Sequence, residues 1–182
     1  MALLAVCLLL AAGGDPVREL GRWERDAIET GEYWRLVSGH LVHLGLGHLW
    51  PNLAALAIVG LLFEGVFSNL DWARIGAASA AAIDFGLYVL NPSVQWYVGL
   101  SGVLHGYVAA GALALIVRRE RVGVVLAVGV GAKLIFEQVV GPVPFTAASV
   151  GGPVVVAAHL YGVVGALLAE AVVAVVRRRS RV

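Results

Sequence analysis

Apolar residues run along this chain in long blocks, with neither strict alternation nor a one-sided stripe. Helices that are apolar all round belong in lipid or in a large interior. A helix needs about 20 mostly apolar residues to cross a bilayer. Stretches at about 45–67, 73–90, 98–117, 122–140 and 154–176 qualify or come close, and 2–12 is apolar but short. The pattern predicts six membrane helices, with the first the shortest. That first run lacks the basic start of a signal peptide. Turn chemistry separates the runs: Gly13-Gly14-Asp15-Pro16, Asn69 with Asp71, Asn91-Pro92-Ser93, Arg118-Arg119-Glu120-Arg121, and a Gly- and Pro-rich stretch from Gly141 to Pro153. No repeat or low-complexity linker interrupts them. Residues 1–182 therefore read as one all-α polytopic membrane domain, a six-helix bundle with a partly helical first outer loop.

Composition sharpens the picture by exclusion. Charged residues are 14% of the chain, against about 25% in soluble domains. Hydrophobic residues are 60%, more apolar surface than a soluble sphere of this size can hide. A formal net charge of +1 also removes nucleic acid as a partner, because binding there rests on basic charge. The lipid bilayer is the partner the composition requires. Cys7 is the single cysteine, so it forms no internal disulfide and packs as a small hydrophobe.

Basic residues near span ends set orientation. Arg74, Arg118, Arg119, Arg121, Arg177, Arg178, Arg179 and Arg181 fall on one side. Arg18, Arg22, Arg25 and Arg35 fall on the other, diluted by Asp15, Glu19, Glu24, Asp26, Glu29 and Glu32. Both termini are thus expected in the cytoplasm. Asp15–Gly39, Asn91–Tyr97 and Gly141–Pro153 are expected to face outward. Trp23, Tyr33 and Trp34 beside Arg35 suit the headgroup layer, where amphipathic rings settle.

Polar groups inside spans are costly and mark function by default. His48 and Asn52 share a helical face at i, i+4 spacing. Ser101, in Gly99-Leu100-Ser101-Gly102, opens the fourth span, and His159 lies early in the sixth. The predicted topology brings all of these, with His43, to similar depth at the outer face. That set fits acyl transfer: a Ser hydroxyl, a His base to take its proton, and His and Asn donors for an oxyanion. Gly99, Gly102 and Gly162 permit close backbone approach. Other readings stay open from spacing alone. Ser101 is also a helix N-cap candidate, a span histidine often just bonds a neighbouring helix, and His48 with His159 offers a haem-ligand pair. No His-Glu-x-x-His zinc pattern occurs, and the acyl-transfer reading calls for no metal or cofactor.

These motifs resemble those of the rhomboid intramembrane serine proteases, in order and across nearly the whole chain. Trp34-Arg35 is similar to a pair in the family's first outer loop. His43, His48 and Asn52 in HLGLGHLWPN stand where the family has its second-span His and its oxyanion His and Asn. Glu64 matches a family glutamate at the inner end of that span. Gly99-Leu100-Ser101-Gly102 resembles the nucleophile motif, and Ala158-His159-Leu160-Tyr161-Gly162 the Ala-His-x-x-Gly that carries the base. The resemblance implies a six-helix bundle whose site opens outward, with Ser101 and His159 catalytic. Residues 99–106 and the run from Lys133 to Gln138 resemble the rhombosortase subfamily. That implies a bacterial inner-membrane enzyme processing proteins whose C-terminal tails hold Gly-Gly, a membrane helix and a basic cluster. Ala166 and His105 depart from the common rhomboid pattern, His105 standing where many members have Tyr. From its place one turn after Ser101, His105 offers two readings, stacking on or bonding to His159 or a simple packing role. No acidic third member is evident, and Asp84 lies too deep, so a Ser–His dyad is expected. Lys133 and Glu137 read as a buried pin between helices or a reader of the substrate tail. Glu170 has no evident partner, and His40 is expected at the interface without chemical duty. The sequence leaves the oligomeric state open.

Overall fold

The computed structural model describes residues 2–144 and 149–179. Ser180, Arg181 and the middle of the Gly141–Pro153 segment lie outside the described residues. In chain order the elements are α1 (Ala2–Ala12), α2 (Gly14–Gly21), β1 (Trp23–Glu24), α3 (Arg25–Glu29), α4 (Arg35–Ser38), α5 (Leu46–Leu62), α6 (Asn69–Phe85), β2 (Trp96–Tyr97), α7 (Ser101–Val117), α8 (Arg121–Val139) and α9 (Val156–Arg179). Three helices are long and apolar enough to cross a bilayer: Asn69–Leu90, Arg121–Val139 and Val156–Arg177. Ala2–Ala12, Leu46–Leu62 and Ser101–Val117 are apolar but shorter.

Local chemistry sets the helix ends. α6 starts four residues before the apolar run because Ser68 and Asp71 form a reciprocal capping box, a motif whose loss costs about 1 kcal/mol. Its last turn widens over Gly86–Leu90, where the Asn91 N–H reaches back to the Gly86 carbonyl at 3.1 Å. α5 stops short of residue 67 as the chain turns through Gly65 at φ +71°. α7 ends in a left-handed residue, Arg119 at φ 62°. The Arg119 and Glu120 N–H groups then close onto the Ile116 and Leu115 carbonyls, which satisfies the last turn.

α7 is the central helix, with most of its length buried against α5, α6, α8 and α9. Lipid offers no hydrophobic drive between helices, so close packing of small residues must hold them. A Cβ placed on Gly162 would lie 2.1 Å from the Gly102 carbonyl oxygen, and one on Gly102 would lie 2.8 Å from the Ala158 oxygen. α7 and α9 thus meet backbone to backbone. Gly106 continues the seam against Ser79 and Gly162, and Gly111 takes the Phe63 ring. The outward surface is apolar: Trp50, Ile58, Leu61, Val125, Ile135 and Leu168 are all exposed.

The segment between α1 and α5 differs from expectation. Trp23 is fully buried and Arg35 only 7% exposed, whereas Tyr33 and Trp34 are exposed. Trp23 is drawn inside because β1 pairs antiparallel with β2, Trp23 opposite Tyr97 and Glu24 opposite Trp96. Arg35 is held by the Glu19 and Arg22 carbonyls, each at 2.9 Å, and by Glu32 at 2.7 Å. Arg25 donates to the Leu87, Tyr88 and Asn91 carbonyls, capping the end of the α6 rod where a cation is favoured. Glu170 also has a partner after all: Arg74 Nη2 lies 2.8 Å from it, tying α6 to α9. His43, in the turn into α5, is buried and donates Nδ1–H to the Leu41 carbonyl at 3.1 Å. Burial lowers its pKa from 6.5 to about 4.

Two outcomes are expected. Gly162→Ala should destabilise the bundle by about 1–3 kcal/mol, read by detergent-titration unfolding. Gly129→Ala is the control, because nothing lies within 4 Å of its added Cβ. His43 is neutral when folded and titrates near its ordinary value when unfolded, so its contribution is intact above about pH 6.5 and is lost as pH falls toward 4. His43→Gln should therefore flatten the pH–stability curve across that window, measured as unfolding midpoints of both proteins.

Candidate active site

The GLSG stretch is positioned by what precedes it. β2 is pinned to β1, the Tyr97 hydroxyl donates to the Gly99 carbonyl at 2.6 Å, and the Gly99 N–H donates to the Gly39 carbonyl at 2.9 Å. Gly99 has φ +115°, and a Cβ there would lie 2.6 Å from His48 Nε2. Only glycine lets the imidazole approach this backbone. His40 belongs to this support. It is buried rather than interfacial, touches the Tyr97 ring edge-on at 5.6 Å, and bonds Asp84 at 3.2 Å. Asp84 accordingly serves His40, not the Ser101 site.

Ser101 begins α7 half-buried, and its Oγ lies 2.9 Å from His159 Nε2 on α9. The Gly102–Gly162 contact, one residue beyond Ser101 and three beyond His159, sets that distance. Both side chains line a cavity of about 220 Å³, with His48, Asn52, His105 and Lys133 also on its wall. The other ring nitrogen of His159, Nδ1, lies 2.7 Å from Glu137 Oε2. A carboxylate only accepts, so Nδ1 carries the proton and Nε2 presents a lone pair to the Ser101 hydroxyl. The expectation that no acidic group reaches His159 is thus corrected. Glu137 is 2% exposed, and its second oxygen pairs with Lys133 Nζ. A signal was available: Glu137 stands within three residues of the end of its predicted span, at the same end of the bundle as Ser101 and His159.

His48 is buried with Nδ1 accepting the Leu44 N–H at 3.4 Å, which leaves Nε2–H as a donor beside Gly99. Asn52, one turn on, spends one amide proton on the His48 carbonyl at 2.8 Å and keeps the other. The His43 ring braces His48 edge-on at 4.9 Å. His105 donates Nδ1–H to the Ser101 carbonyl at 2.7 Å and stacks on His159, centroids 4.2 Å apart and planes 17° from parallel. Glu64 sits exposed in the turn after α5, at the end opposite His48. Trp34 and Arg35 lie at the start of α4 and do not line the cavity.

His105, Glu137 and His159 bring possible ligand atoms within 4.8 Å of one another. Near-parallel stacked rings put a shared ion outside both imidazole planes, and both nitrogens of His159 are already engaged, so the donor set is poor for a metal. A haem bridging His48 and His159 fits no better, since the cavity is smaller than the roughly 300–1,000 Å³ of sites that bury larger ligands.

Comparison with known proteins places the chain in a family. The chain is 27% identical over 96 residues to YdcA of Bacillus subtilis (strain 168), covering 53% of this chain and 48% of that protein. It is 34% identical over 107 residues to RHOMBOID-like protein 5 of Arabidopsis thaliana, covering 57% of this chain and 34% of that one. It is 29% identical over 114 residues to rhomboid protease GluP of B. subtilis, covering 60% and 22% respectively. The chain thus spans less than half the length of each of these relatives. The Rhomboid domain matches residues 30–175, a range that takes in the whole Ser101, His159, His48 and Asn52 cluster. By that match over most of its length, this multi-pass membrane chain belongs to the rhomboid family.

Proposed function

We propose that this protein is an intramembrane serine protease that cleaves membrane-anchored proteins near the outer membrane–water boundary. The single observation carrying the reading is the 2.9 Å approach of Ser101 Oγ to a His159 Nε2 that holds a free lone pair. Ser101 Oγ attacks the scissile carbonyl carbon as its proton moves to Nε2. The carbonyl electron pair moves onto oxygen, and His48 Nε2–H with the spare Asn52 amide proton receive that charge. The imidazolium then protonates the leaving amine, the C–N bond breaks, and an acyl-enzyme remains on Ser101. Water, or another nucleophile, releases it.

The finer reading is a rhombosortase acting on C-terminal tails of Gly-Gly, a membrane helix and a basic cluster. Residues 99–106 and 133–138 support it. Glycine pairs suit the site because each weakens a helix by about 1 kcal/mol relative to Ala, which eases unwinding. The full arrangement proposed is six spans in one domain of the bacterial inner membrane, with both termini cytoplasmic and the site facing the periplasm. A substrate helix enters beside α8. General cleavage of other single-span proteins by the same chemistry is the alternative.

Ser101→Ala should abolish cleavage of a reporter ending in Gly-Gly, a membrane helix and arginines, and should abolish labelling by a serine-directed fluorophosphonate. Retained activity in Ser101→Ala or His159→Ala rejects the mechanism. A reporter left intact while other single-span substrates are cut selects the alternative. Asn52→Ala or His48→Ala should each lower kcat about 10²–10³-fold, or roughly 3–4 kcal/mol, in detergent or bilayer assays.

A further inference from the structure

The inference concerns the ion pair on α8, and it rests on the serine-protease reading. Glu137 is almost wholly buried and both its carboxylate oxygens are committed: Oε2 to His159 Nδ1–H at 2.7 Å, Oε1 to Lys133 Nζ. Lys133 sits one turn earlier on the same helix, and its side chain is 36% exposed on the cavity wall. A pin between helices needs only a counter-charge. It does not require the second oxygen to lie in line with the one ring nitrogen whose protonation decides which tautomer Ser101 meets. We propose that Glu137 is a positioning residue for His159, that Lys133 acts through it, and that the site works as a four-membered Lys133–Glu137–His159–Ser101 relay rather than a serine–histidine pair.

Charge conservation in a low-dielectric site explains why both members are present. A lone buried carboxylate is expensive in such surroundings. Lys133 offsets it, so the resting site is neutral. When the Ser101 O–H bond breaks and the Nε2–H bond forms, an imidazolium and a substrate oxyanion appear together, and the site is neutral again. The Nδ1 proton stays on the ring throughout, and Glu137 stays ionised beside the new cation. Replacing Glu137 by Gln offers Nδ1 an amide N–H as readily as a carbonyl, so the ring can adopt the other tautomer, with Nε2 carrying the proton and no lone pair for Ser101. Lys133, unlike Glu137, has no contact with the imidazole to lose.

The test uses the full chain in nanodiscs with a fluorophosphonate and a cleavable tail reporter. Glu137→Gln should lower kcat and the labelling rate constant about 10²–10⁴-fold while KM changes less than about threefold. Glu137→Asp, which keeps the carboxylate, should recover much of the loss. Lys133→Met should lose less than Glu137→Gln, and the double variant should be no slower than Glu137→Gln alone, as expected when one residue acts through another. In wild type labelled with ¹⁵N-histidine, a far-downfield Nδ1–H proton should be present and should vanish in His159→Asn. That measurement stands even where Glu137→Gln fails to fold. Labelling of Glu137→Gln at the wild-type rate, Asp no better than Gln, or absence of that proton overturns the relay. A wild type that neither labels nor cleaves removes the protease reading and the relay with it. A reactive wild type beside an equally reactive Glu137→Gln removes the relay alone.

Discussion

The approach of α7 to α9 at Gly102 and Gly162 is the constraint on which the rest depends. The two backbones touch there, with a carbonyl oxygen 2.1 Å from where a Cβ would stand. Ser101 is the neighbour of one glycine, and His159 lies just under one turn before the other. Two side chains 58 positions apart in the chain are therefore brought together by the absence of two methyl groups. In water, burial of large apolar side chains could hold such helices. In lipid it cannot, and the close seam supplies the van der Waals contact instead.

A second economy runs through the polar groups. Among the described residues, several polar groups inside the bundle meet a partner on another element, and Lys133 pairs with Glu137 one turn along its own helix. Arg74 reaches Glu170, His40 reaches Asp84, Glu137 reaches His159, and Arg25 and Arg35 end on backbone carbonyls. The segment between α1 and α5 looks elaborate for a connector, yet it carries β1, and β1 holds the strand that leads into Gly99. Its charges are the fastening of a small lid of backbone over the end of the bundle that holds Ser101.

Much of the fold was legible because the apolar blocks are long and their interruptions carry turn residues. Ser101, His159, His48 and Asn52 could be gathered from topology alone, since depth along a span is a count of residues. Rotation about the helix axis is not such a count. Whether Glu137 turns toward α9 or toward lipid depends on how α8 is set against its neighbours, and a local i, i+4 lysine already offers it a satisfying partner. The same holds for Glu170, whose partner Arg74 is 96 residues away. Trp23 misled for another reason. An amphipathic ring beside arginines has one composition whether it lies among headgroups or under a folded loop, and only the β1–β2 register tells the two apart.

α8 is the most thinly covered of the long helices, with Gly123, Leu134 and Glu137 as its buried residues. Gly123 and Leu134 are shielded by packing alone, whereas Glu137 is held by a bond whose other end is the imidazole. Any sideways displacement of this helix would load that bond together with the packing at Gly123 and Leu134. The seating of this helix and the setting of the imidazole are thus mechanically linked through a single carboxylate.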